Sequence, residues 1–89
     1  MVPSDRKKRL LSKIRQKRCK NVRFEDMRKL VEMYGCVLDR IEGSHYIYVH
    51  SGLRRPIVLQ KPHGSDFPPP FCRQTLEHIE EIIEFEDEE

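Results

Sequence analysis

The chain has 89 residues, 36% of them charged and 37% hydrophobic, with a formal net charge of +2 at pH 7. That length bounds it to one small domain with a modest core, and the balance of apolar to charged residues excludes a chain disordered throughout. No run is apolar and long enough to span a bilayer, and the charged N-terminus lacks the apolar stretch of a signal peptide. The net charge hides an asymmetry: residues 1–40 hold 13 Lys/Arg against 5 Asp/Glu, and residues 41–89 hold 4 against 10. A basic front half fits either a polyanion partner or a solvated helix whose charges do nothing specific. Cys19, Cys36 and Cys72 are odd in number and widely spaced, with no C-x-x-C, so neither a zinc site nor a disulfide framework is expected and a reducing cytoplasm fits best.

Asp5 to Lys20 is rich in helix formers and free of Gly and Pro, and Leu10, Leu11 and Ile14 make a short apolar stripe. Nine of its sixteen residues are Lys or Arg, which predicts a basic helix serving as a phosphate-binding arm or a mobile extension. Asn21 marks a break. Phe24 to Tyr34 is the clearest helix: Phe24, Met27, Leu30, Val31 and Tyr34 share one face, Glu25 and Asp26 suit its first turn, and Gly35 is a natural C′ residue. Cys36 to Ile41 reads as a first strand, Gly43 as its turn, and His45 to His50 as a second strand. Alternation places His45, Ile47 and Val49 on one face and Tyr46, Tyr48 and His50 on the other, where they are expected to line the open side of the sheet. Arg55 to Gln60 is a third strand with Pro56 at its entry. A loop through Pro68-Pro69-Pro70 leads to a last helix, Phe71 to Phe85, with Cys72, Leu76, Ile79 and Ile83 as its stripe.

The order implies a small two-layer α+β domain, α-β-β-β-α, with a three-stranded antiparallel sheet and two helices on one face. It is expected to occupy residues 22–85, after a basic N-terminal helical extension over 1–21 and before an acidic tail over 86–89, expected to be disordered.

His45 is the chemistry-bearing residue to weigh. A histidine at the start of a strand is by default a surface residue. His45, however, follows Gly43-Ser44 at a turn and lies in a chain with a large basic surface. His50 and His63 are expected to come near it through the meander and the following loop. Beside a phosphodiester, such a histidine takes a proton from a ribose 2′-OH or gives one to the leaving 5′-oxygen, with Lys and Arg stabilising the phosphorane. The scheme needs no metal or cofactor, and it needs RNA. A Ser44–His45 nucleophile pair is disfavoured because adjacent strand residues point to opposite faces. The spacing of His45, His50 and His63 matches no standard metal site. The glutamates of the last helix, three to four residues apart, fit a solvated face better than paired acids.

The run from Phe24 to Gly64 resembles the HicA toxins of bacterial type II toxin–antitoxin modules. The features that carry the resemblance are the helix ending Tyr34-Gly35, the triplet Gly43-Ser44-His45 followed by Tyr46-Ile47-Tyr48, the later His50, and Pro62-His63-Gly64 after the third strand. It covers roughly residues 22 to 83. It implies a double-stranded-RNA-binding-like fold and an mRNA-cleaving endoribonuclease (an mRNA interferase). It also implies His45 as the catalytic residue and a HicB-type antitoxin protein that masks it, the chain being a monomer or part of a toxin–antitoxin hetero-oligomer. On that basis Gly43 and Ser44 shape the site, and Lys20, Arg23, Arg28, Lys29, Arg40, Arg54, Arg55 and Lys61 are candidate phosphate contacts. Tyr46, Tyr48, His50 and His63 are candidate substrate or antitoxin contacts. The basic extension before Phe24 and the acidic C-terminus depart from the family pattern. A non-catalytic RNA-binding module of the same fold and a protein-interaction domain are the alternatives.

Overall fold

Six elements follow one another in a computed structural model that describes residues 3–64 and 66–88: α1 (Pro3–Gln16), α2 (Phe24–Met33), β1 (Val37–Glu42), β2 (His45–Val49), β3 (Ile57–Gln60) and α3 (Pro69–Glu88). The strands form one antiparallel sheet in the order β1-β2-β3. The architecture is the α+β arrangement expected from the sequence, with α1 added in front.

The core lies between the sheet and the helices. Met27, Leu30 and Val31 of α2 meet Tyr48 of β2, Ile57 and Leu59 of β3, and Cys72, Ile79 and Ile82 of α3, all buried. In the register Tyr46 pairs with Leu59 and Tyr48 with Ile57, so these four side chains share the helix-covered face. Tyr48 is fully buried, and its hydroxyl accepts from Arg28 Nε at 2.9 Å and donates to Glu32 Oε2 at 2.8 Å. The Arg28 guanidinium also stacks 4.9 Å from the Tyr46 ring centre. Contrary to the expectation from the sequence, Tyr46 and Tyr48 therefore do not line an open face. They are pulled under α2 because large aromatic rings gain more from burial than the smaller side chains of the alternate positions.

α2 ends as the sequence predicts. The Cys36 N–H bonds the Val31 carbonyl and the Gly35 N–H bonds the Glu32 carbonyl, a Schellman motif with Gly35 at φ +90°. α1 ends in the same way but without a glycine. The Cys19 N–H reaches the Ile14 carbonyl and the Arg18 N–H reaches the Arg15 carbonyl, with Arg18 and Cys19 at φ 54° and 61°. This reversal stops the helix at Gln16 rather than Lys20 and turns Cys19 into the core.

Nor is α1 a detached arm. Leu11 and Ile14 are buried in the same core as α2 and α3. Each such burial is worth about 1.5–3 kcal/mol, whereas a 14-residue helix left alone in water is marginal. α3 runs to Glu88, so residues 86–88 of the expected tail are helical; residues 1, 2 and 89 lie outside the described residues. Its buried stripe is Cys72, Thr75, Ile79 and Ile82. Leu76 and Ile83 are only half-buried, on the side that α1 borders. Pro69 and Pro70 occupy its first turn, where no N–H is needed. The loop before α3 carries a core anchor that the sequence pattern did not reveal: Phe67 is fully buried beside Phe24 and Phe71.

Two outcomes test this packing. Ile14→Ala should lower stability by about 2–4 kcal/mol in denaturant unfolding, while Arg15→Gln, which removes only the exposed pair with Glu80, should cost under about 1 kcal/mol. Burial pushes the Cys36 thiol from 9.0 up to about 11 and raises Tyr48 and Tyr34 above their ordinary value. The folded state therefore holds protons that the unfolded chain releases first, and stability should fall as pH rises from about 9 through 11. Denaturation midpoints across that range should drop, and Cys36→Ala should flatten the decline.

Candidate functional site

Glu42 and His45 are register partners, so Gly43 and Ser44 alone connect β1 to β2. Gly43 has φ +59° and Ser44 has no positive φ, the pattern of a type II′ hairpin turn with glycine first. The Lys61 N–H donates to the Ser44 carbonyl at 2.8 Å, tying the end of β3 to this turn. His45 thus stands in a cross-strand row with Glu42 on one side and Gln60 on the other.

This row belongs to the sheet face that no helix covers. The next row is Arg40, Ile47 and Val58, and beyond it Val37 pairs with Val49. A β-bulge lies between Leu38 and Arg40, and it keeps Arg40 and Glu42 on the open face with His45. Arg40 donates from Nε to Glu42 Oε1 at 2.9 Å and also pairs with Asp39, and both bonds hold its guanidinium charged. His45 is exposed, and among the described residues its imidazole has no hydrogen-bond or ion-pair partner. The open face is therefore a histidine, a carboxylate, an amide and a guanidinium beside an apolar patch, where Val37, Val49 and Val58 are 64%, 43% and 45% exposed around a buried Ile47.

The other sequence-predicted residues divide by location. Lys61 is exposed next to the turn, and His63 is exposed two residues further along the same loop. Arg23 bridges to Asp66 of that loop, and Lys20 is exposed just before it. Lys29 is exposed on α2, away from the sheet. Arg28 is committed to Tyr48 and Glu32 and works as a clamp. His50 lies at the opposite end of β2 from His45, five residues or roughly 16 Å along the strand direction. Its Nδ1 accepts from the Gly52 N–H at 2.9 Å and its ring meets Phe85 edge-on. It is a turn residue and does not join His45, and the alternation that buries Tyr48 keeps its side chain off the open face. Arg54 and Arg55 are also at that far end, where with His78, Glu81, Glu84 and Phe85 they line a cavity of about 710 Å³.

Sequence reasoning missed Glu42 and Gln60 as neighbours of His45. The first was legible, since a two-residue loop makes its flanking residues partners. The second needed the β2–β3 register.

Gly43 tests the site's construction. A Cβ there would meet nothing within 4 Å, so the cost of a side chain is purely conformational. Gly43→Ala should destabilise by about 1–2 kcal/mol in thermal unfolding, and Gly43→Asn should cost less because Asn, after Gly, is favoured at the positive-φ positions of primed turns.

A family model described as HicA toxin of bacterial toxin-antitoxin matches residues 24–80, more than half of the chain. The match begins at α2, includes the Gly43-Ser44-His45 turn and ends within α3. Searches of curated proteins and of solved structures find no match.

Proposed function

The chain belongs to the HicA toxin family of bacterial toxin–antitoxin modules, and from that premise we propose that it is an endoribonuclease that cleaves mRNA in the cytoplasm with His45 as general acid/base. The observation that supports it most is an unpartnered imidazole on an uncovered sheet face, fixed by a glycine turn and flanked by polar groups. His45 Nδ1 or Nε2 takes the proton of a ribose 2′-OH as that oxygen attacks the adjacent phosphorus. The P–O5′ bond breaks, the 5′-oxygen leaves as an alcohol by taking a proton from the His45 imidazolium or from solvent, and a 2′,3′-cyclic phosphate remains. Arg40, diagonal to His45 across the hairpin, and Lys61 beside the turn supply positive charge to the phosphorane. The proton steps use His45 and solvent and the phosphorane charge is met by side chains, so the scheme calls for no cofactor. Arg54 and Arg55 have no part in this step, because they lie a strand length away.

A HicB-type antitoxin neutralises the enzyme by covering the same face. The support for this is the apolar patch of Val37, Val49 and Val58, which continues directly from the His45 row and fits burial against a protein better than contact with a polyanion.

Purified wild type and His45→Ala are incubated with labelled single-stranded RNA in EDTA. Wild type should leave 2′,3′-cyclic phosphate or 3′-phosphate ends, and His45→Ala should be slower by about 10²–10⁴-fold with an unchanged unfolding temperature. Undiminished cleavage by His45→Ala would remove His45 from the mechanism, and binding without cleavage by either protein would make the chain a non-catalytic RNA-binding module.

A further inference from the structure

α1 and the last turns of α3 both lie outside residues 24–80, and they meet through Lys7 and Glu86 at 3.6 Å, while Arg15 of α1 pairs with Glu80, the last residue of that range, at 3.0 Å. Just past the end of α1, Arg15, Arg18, Cys19, Lys20, Arg73 and Leu76 line an open cleft of about 390 Å³. Four of those six side chains are cations. Arg15 has Glu80, but Arg18, Lys20 and Arg73 have no carboxylate partner among the described residues. Arg18 also occupies the C′ position of the α1 Schellman motif at φ 54°, where glycine is the residue free of strain. The chain thus holds a guanidinium at the mouth of the cleft against its local backbone preference, which is the kind of conflict that functional positions carry.

The cleft is connected to His45 by one rim of backbone. Cys19 and Lys20 lead to Val22, whose carbonyl accepts from the Phe67 N–H at 2.6 Å, and to Arg23, which bridges to Asp66. The loop containing Asp66 begins at Lys61, whose N–H bonds the Ser44 carbonyl. Lys20, Arg23 and Lys61 punctuate this rim from the cleft to the hairpin turn. We propose that the cleft is a phosphate-binding exosite that holds the sugar–phosphate backbone of an RNA strand whose scissile bond lies at His45. The inference rests on the ribonuclease reading above. Two of the three cations without a carboxylate partner are arginines, whose planar fork matches phosphate oxygens in pairs. The chain's own Glu86 and Glu80 take Lys7 and Arg15 and leave Arg18, Lys20 and Arg73 without a carboxylate among the described residues. RNA is therefore the occupant the charges favour.

The test uses the full chain in two forms. With His45→Ala protein, binding of a labelled single-stranded RNA of about 20 nucleotides is followed by anisotropy between about 50 and 200 mM salt. Arg18→Gly/Arg73→Gln should weaken binding about tenfold and flatten the log–log salt slope by about 1.4, the value for two phosphate contacts on a single strand. Arg54→Gln/Arg55→Gln removes the same charge at the far end and should change affinity less than about twofold. Arg18→Gly should unfold at the same or a higher temperature, so the loss cannot be assigned to misfolding. With His45 intact, the cleft variant should cleave the long RNA with a KM raised about tenfold and cleave an oligonucleotide of about four residues as wild type does. If wild type cleaves neither RNA, the ribonuclease reading fails while the anisotropy still decides the cleft. Equal loss in both double variants, or no loss in either, overturns the exosite. So does retained RNA binding with loss of an acidic protein partner.

Discussion

The Tyr48 side chain has no exposure to solvent, and its phenol joins Arg28 and Glu32 of α2 to the central strand of the sheet. Because side chains alternate along a strand, that one placement sets all the others on β2. Tyr46 goes inward beside Phe24, with ring centres 4.9 Å apart. His45, Ile47 and Val49 go outward. A one-residue slip would bury His45 under two helices and expose two tyrosines, at a cost of both rings' burial and the two hydrogen bonds. The face on which the candidate catalytic group stands is thus set by the turn and by core packing three residues away, with no hydrogen bond or ion pair of its side chain among the described residues.

The charge asymmetry of the chain has a partly internal explanation. The basic α1 and the acidic end of α3 meet through Lys7–Glu86 and Arg15–Glu80, and Lys7 also sits 4.7 Å from the Tyr34 ring centre. Exposed pairs of this sort contribute at most about 1 kcal/mol each, less than the burial of Leu11 or Ile14. Apolar contact therefore holds α1 in place, and charge selects the orientation in which it lies on α3. The cations that this pairing leaves over include Arg18 and Lys20 beyond the α1 terminus and Arg23 and Lys61 along the rim toward the His45 turn.

Two histidines of the sheet region illustrate how little composition says about role. His45 and His50 begin and follow the same strand, yet one stands free on an open face while the other accepts a backbone hydrogen bond and contacts Phe85. Gly52 allows that second arrangement, since a Cβ there would come within 2.7 Å of the Phe85 ring.

The periodicity of Phe24 to Tyr34, the glycine after it, the alternation of His45 to Val49 and the two-residue turn at Gly43-Ser44 are local signals, and each reads correctly because the forces behind it act within one or two turns of chain. They determine the element order, the α+β class and the place of His45 beside Glu42. The sequence does not carry which face of β2 is covered, because alternation defines two faces and burial against α2 and α3 chooses between them. It does not carry the end of α1 either, since Arg18 and Cys19 adopt left-handed conformations that the capping hydrogen bonds and the burial of Cys19 compensate together. Separation of His50 and Arg55 from His45, burial of Phe67, and the helical state of residues 86–88 likewise depend on contacts between segments far apart in the chain. Local preference fixes what each segment is; the competition among segments for one small core decided where each side chain points.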